Sequence, residues 1–132
     1  MGVFKVRVRF FSLRDNAKAH DLEVTVDTGS TLSVIPREVA ESLDVRPVGQ
    51  RWFLLANRER ISREVGYVGV KYEERDAPTL VVLGGPQDAP LLGAVALESM
   101  GFEADPISET LRPTIHFLMR VTRTGRPAAR LS

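Results

Sequence analysis

The 132-residue chain is 43% hydrophobic and 27% charged, the balance of a single folded domain rather than a disordered or fibrous chain. It has no cysteine, which excludes a disulfide scaffold, thiol catalysis and thiolate-held metal, and a net charge of +1 offers no field for nucleic acid. No apolar run approaches the ~20 residues of a membrane-spanning helix. Lys5, Arg7 and Arg9 interrupt the early apolar run that a secretion signal needs, so a cytoplasmic protein without membrane association is expected.

Val3–Phe10 alternates apolar and charged residues, the two-residue period of a strand with one wet face. His20–Val26 alternates less cleanly and ends at Asp27-Thr28-Gly29, a turn signal. Pro36 at the first helical position and Glu38 in the first turn open a short helix with Val39, Ala40 and Leu43 on its buried stripe. Trp52–Leu55 runs into the polar cluster Asn57-Arg58-Glu59-Arg60, read as a hairpin tip, and Ile61–Tyr72 is the long return strand. Gly66 and Gly69 mark bends or close approaches within it. Thr79–Leu83 is a continuous apolar run, the pattern of a buried strand, ended by Gly84-Gly85-Pro86. Ala94–Met100 forms a second short helix that Gly101 closes, and Thr114–Val121 is expected as a final strand. Arg120, Arg123, Arg126 and Arg130 put +4 near the end with no acid, leaving −3 for residues 1–119. Residues 1–121 therefore read as one domain and 122–132 as a basic, flexible tail. The elements predict a mostly β, closed barrel-like fold with one or two short helices.

Two local patterns carry chemistry. One is the apolar strand entering Asp27-Thr28-Gly29-Ser30, and the other is Leu91-Leu92-Gly93 directly before the second helix. Asp and Gly serve any turn after a strand, so the first pattern alone says little. An apolar strand into Asp-Thr-Gly-Ser, then a hairpin, then apolar-apolar-Gly before a helix is far more restrictive. That combination resembles the retropepsin-like aspartic proteases, the single-domain relatives of pepsin, from about Val3 to Val121.

The resemblance implies a closed acid-protease barrel and makes Asp27 the catalytic carboxylate. Thr28 interlocks with its symmetry mate, Gly29 brings the turn close to the substrate backbone, and Ser30 is placed to hydrogen-bond the outer carboxylate oxygen. Arg51–Arg63 corresponds to the flap, the hairpin that closes over the substrate. The groove and flap residues it implies are Val34, Phe53, Leu55, Asn57, Arg58, Leu91, Leu92 and Gly93, with Leu91-Leu92-Gly93 also matching the segment beneath the catalytic loop. The flap tip here is charged and lacks glycine, and Thr31, Leu32 and Ala94 stand where viral members carry an ion-pair network. In these respects the chain is closer to bacterial, archaeal or cellular members than to viral ones.

Two carboxyls about 3 Å apart cannot both ionise and share one proton. The ionised one acts as general base on a water while the protonated one polarises the scissile carbonyl, so the chemistry needs no metal or other cofactor. This chain has a single Asp-Thr-Gly, so an active site requires a homodimer with Asp27 from each subunit at the two-fold axis. Its substrate would be a polypeptide. His20 and His116 are too few and too far apart for a metal site, and no nucleophile-elbow pattern supports a triad of His20 and Asp21 with Ser12 or Ser30. The main rival is a catalytically silent dimeric β-module that binds extended peptides in the same groove.

Overall fold

Alternation in the first strand sets the pattern for the sheet. In β1 (Phe4–Phe11), Phe4, Val8 and Phe10 are buried while Lys5, Arg7 and Arg9 face solvent. β2 (Ala19–Val26) pairs antiparallel with it over its whole length, from Phe4 opposite Val26 to Phe11 opposite Ala19. The computed structural model describes residues 3–121.

Beyond β2 the chain forms β3 (Ser33–Pro36), α1 (Arg37–Ser42), β4 (Gly49–Leu54), β5 (Arg60–Tyr72), β6 (Arg75–Gly84), β7 (Leu91–Leu92), α2 (Ala94–Met100), β8 (Phe102–Asp105) and β9 (Thr110–Pro113). One seven-stranded sheet runs β1-β2-β7-β3-β6-β5-β4, and Arg9–Phe11 of β1 also pair with Gly69–Lys71 of β5. That extra pairing bends the sheet back on itself. The closure is uneven, because β7 joins β2 through two residue pairs and β3 through one, and β4 stays outside as an edge. A separate hairpin of β8 and β9 covers one end.

The core follows from these periods. Phe10, Val24, Val26, Ile35, Val68, Val70, Val81 and Leu92 are almost wholly buried, together with Val39, Ala40 and Leu43 of the first helix region. Pro36 caps α1 from just outside instead of opening its first turn, and the apolar stripe is unaffected. A Cβ on Gly66 would lie 2.9 Å from the Arg46 carbonyl oxygen, and one on Gly69 would enter the Phe11 ring, so both are close approaches. Gly101 ends α2 with φ of +84°, a conformation that favours glycine. The Arg75 guanidinium donates to the Gly101 carbonyl at 2.5 Å and lies over the Phe102 ring, fixing β6 to the end of α2.

The expected strand Thr114–Val121 does not form. Ile115, Phe117, Leu118 and Met119 are at least 80% exposed, and the backbone contact of this segment is Thr114 N–H to the Gly101 carbonyl. A strand needs a neighbour for its backbone groups, and no sheet edge of the same chain receives this one. β8, paired with β9, takes the place next to α2 instead. The basic stretch 122–132 lies outside the described residues.

Candidate active site

β2 delivers Asp27 to the mouth of the barrel. Its carboxyl is half-buried, and Oδ1 accepts the Gly29 N–H at 3.0 Å, an Asx turn that fixes the side chain from within its own loop. Among the described residues Oδ2 has no partner. The Ser30 N–H donates to the Asp27 carbonyl at 3.1 Å. The Ser30 hydroxyl donates to the Leu32 carbonyl at 2.9 Å, and so tightens the loop rather than bonding the carboxylate as its sequence position suggests. Thr28 is exposed at the tip of this turn.

The loop is seated on β7 and the start of α2. The Asp27 N–H donates to the Leu92 carbonyl at 3.0 Å, the Ala94 N–H to the Ser30 carbonyl at 2.8 Å, and the Val95 N–H to the Thr31 carbonyl at 3.0 Å. From the other side, the Gly93 N–H reaches the buried Ser33 hydroxyl at 2.9 Å. These bonds leave no room at Gly93, where a Cβ would lie 2.7 Å from both the Ser30 and Leu32 carbonyl oxygens. The two sequence patterns, sixty-odd residues apart, thus form one backbone-bonded unit.

Beside that unit runs a groove of about 670 Å³. Gly29, Ser30, Val34 and Leu91 form its loop side, and Phe53, Leu55 and Ile61 come from the β4–β5 hairpin. Most of this surface is apolar, and behind it Leu32, Val65 and Val82 make a small second core against which Val34 and Phe53 pack. Of the expected groove residues, Val34, Phe53, Leu55 and Leu91 line it. Leu92 and Gly93 are buried beneath the loop, because alternation along β7 turns Leu92 into the main core. Asn57 and Arg58 stand at the exposed hairpin tip outside the groove, with the Asn57 side chain accepting the Glu59 N–H at 2.9 Å and Arg58 at φ of +72°.

The lining also includes residues that were not singled out from the sequence, among them Trp52, Leu54, Arg63 and Asp88. Trp52 and Leu54 are 71% and 70% exposed on the edge strand β4. Arg63 and Asp88 supply charge. Arg63 donates Nε to Asp88 Oδ2 at 2.7 Å and Nη2 to Oδ1 at 3.2 Å, a side-on bidentate pair joining β5 to the 85–90 loop. The Arg63 guanidinium, aided by the Gly85 N–H, holds the Asp88 carboxyl below the usual carboxylate range, against an opposing push from burial. Nothing local in Gly84–Pro90 announces this partner, since the contact joins residues 25 apart. Among the described residues no group of three His, Asp or Glu side chains converges as a metal site, and none of the helices is long and apolar enough to cross a membrane.

A family model described as aspartyl protease matches residues 11–95, a span holding the Asp27 loop, the hairpin and Leu91–Gly93. Comparison with curated proteins finds no match. Among solved structures, the chain is similar to the solution structure of the simian foamy virus (mac) protease, at 19% identity and a TM-score of 0.50 over 72% of this chain and 92% of that one. It is also similar to the crystal structure of a retropepsin-like aspartic protease from Rickettsia conorii, at 18% identity and a TM-score of 0.47 over 78% of this chain and 86% of that one. At 19% identity the likeness to the foamy virus protease concerns the fold.

Proposed function

The chain belongs to the aspartyl protease family, and from that premise we propose that it is an aspartic endopeptidase active as a homodimer. Residues 1–121 would be the catalytic domain and the Arg51–Arg63 hairpin its flap. Each subunit contributes one Asp27, and the two carboxyls share a proton across the two-fold axis. The ionised carboxyl takes a proton from a water as its oxygen attacks the scissile carbonyl carbon. The protonated carboxyl hydrogen-bonds the carbonyl oxygen. The tetrahedral adduct then collapses with the C–N bond breaking, the amine leaving with the proton that the first carboxyl took from the water.

The observation carrying this reading is the seating of the Asp27 loop. Its carboxyl is oriented from within by Gly29, leaves one oxygen without a partner among the described residues, and belongs to a loop whose Gly29 and Ser30 line a largely apolar groove of about 670 Å³. Large apolar side chains flanking the cut fit Val34, Phe53, Leu55 and Leu91. The charged, glycine-free flap tip favours the rival of a silent peptide-binding dimer, and one experiment separates the two.

Asp27→Asn keeps the shape of the side chain but removes the ionisable carboxyl. The variant is expected to fold and not to cleave. After complete subunit exchange of equal wild-type and mutant chains, about a quarter of dimers carry two aspartates, so activity per dimer should fall to roughly that fraction. A remaining half would mean one independent site per chain. Cleavage of a peptide library by wild type, blocked by pepstatin, separates the enzyme from the silent module.

A further inference from the structure

The groove-facing side of the β4–β5 hairpin carries more positive than negative charge, and the register shows where. Residues directly opposite in an antiparallel pair share a face. Phe53 opposite Ile61 and Arg51 opposite Arg63 therefore lie on one face, with Trp52, Leu54 and Glu64 on the other. Phe53 and Val65 pack into the small second core from the first face, and Ile61 and Arg63 line the groove there, which makes it the inner face. Arg51 shares it by register from outside the groove lining, while Trp52 and Leu54, largely exposed, meet the groove from the outer side of the edge strand. Two guanidinium groups thus stand opposite each other at the base of the hairpin, an arrangement that like-charge repulsion disfavours.

Only one carboxylate answers them. Asp88 is engaged by the Arg63 Nε and Nη2 groups and by the Gly85 N–H at 2.8 Å. Arg63 gives a third bond, Nη1 to the Ser62 carbonyl at 3.0 Å, which leaves two of its five N–H groups unspent. Arg51 is exposed and has no hydrogen-bond or ion-pair partner among the described residues. The nearest acid on the hairpin, Glu64, lies on the opposite face and is bound to Arg37 at 2.8 Å. One positive charge on the groove side is uncompensated.

We propose that Arg51 and Arg63 form an acid-recognising subsite at the base of the flap. The preferred peptide then carries a glutamate or aspartate two residues from the apolar side chain seated against Phe53 and Ile61. The spacing follows from geometry. Arg51/Arg63 is two residues along the ladder from Phe53/Ile61, about 6.7 Å, and an extended peptide repeats its side chains on one face at the same interval. The carboxylate would accept the unspent Arg63 N–H groups and those of Arg51, a charge-assisted and planar match. This inference rests on reading the groove as the substrate cleft. In a two-fold dimer it predicts such a subsite at each end.

The test uses the full chain and fluorogenic peptides with one apolar core and Glu, Gln or Lys at the predicted position on both sides. The Glu peptide should exceed the Gln peptide in kcat/KM by about fivefold, as for a partly exposed ion pair. The Lys peptide should fall below Gln, and the Glu advantage should shrink between low and high salt. Arg51→Gln should bring the Glu/Gln ratio close to one, with Arg51→Lys retaining part of it. Taking the ratio within each variant cancels any difference in folded fraction. A ratio near one in wild type, or one untouched by Arg51→Gln, overturns the subsite. If no peptide is cleaved, the protease reading fails, and anisotropy of the same peptides on the Asp27→Asn chain decides the subsite. Tighter binding of the Glu peptide by a similar factor supports it, and equal or undetectable binding overturns it.

Discussion

Gly93→Ala should displace the backbone of the Asp27 loop. The backbone there is extended, with φ of −102° and ψ of −177°, so alanine suffers no dihedral penalty. The penalty is contact. The new Cβ would stand 2.7 Å from the Ser30 and Leu32 carbonyl oxygens and 2.8 Å from the Leu32 carbonyl carbon, all of them backbone. No rotamer change relieves backbone atoms, so the Asp27–Leu32 loop must move away from α2. That overpacking costs about 1–3 kcal/mol. Moving the loop also loosens the Ala94-to-Ser30 and Val95-to-Thr31 bonds, each worth about 1 kcal/mol net. The lower entropy of the unfolded alanine chain returns about 0.4–1 kcal/mol. The net expectation is roughly 2–4 kcal/mol lost, read from urea or guanidinium midpoints at unchanged slope. Gly49→Ala is the control, since a Cβ there meets nothing within 4 Å, and its effect should stay within about 0.5 kcal/mol. Activity of Gly93→Ala should fall by more than its folded fraction, because the displaced loop carries Asp27. Equal stability of the two variants would refute the close-approach argument.

Three further outcomes are expected. The Asp88 carboxyl is depressed in the folded state, so its contribution is present above the usual carboxylate range and lost as pH falls through it. Asp88→Asn should therefore cost about 1 kcal/mol at pH 7 and flatten the acid loss of stability, as denaturation midpoints from pH 7 to 2 would show. Leu92→Ala should cost about 2–5 kcal/mol from a fully buried site, whereas Leu91→Ala next door should chiefly change peptide preference in a library profile. Deleting the chain from Ile115 onward should cost the fold of the isolated subunit little, since the side chains of 115–121 are mostly exposed, as denaturation midpoints at concentrations where the full chain is monomeric would show. Under the homodimer proposal the truncated chain should sediment as an inactive monomer, and a surviving dimer would put the interface elsewhere.

Much of this molecule is legible in one dimension. The two-residue period of Val3–Phe10, the unbroken apolar run Thr79–Leu83 and the glycine after Ala94–Met100 are local signals, and each element lies within a few residues of where they put it. Asp27-Thr28-Gly29-Ser30 and Leu91-Leu92-Gly93 were likewise visible as a pair. Short elements were less so. β3 is four residues long, and Phe102–Asp105 pairs with Thr110–Pro113 across a turn that carries no glycine.

Tertiary structure decided everything that depends on a partner remote in sequence. Thr114–Val121 has strand composition and no strand, because composition supplies side chains and cannot supply the neighbouring backbone. Leu91 and Leu92 are the same residue type in adjacent positions, and only the seating of β7 between β2 and β3 sends one to the groove and the other to the core. Arg63 finds Asp88, while Arg51, its neighbour across the ladder, finds no partner among the described residues. Local periodicity fixes which way a side chain alternates. The charges it meets there are set by loops folded in from elsewhere in the chain.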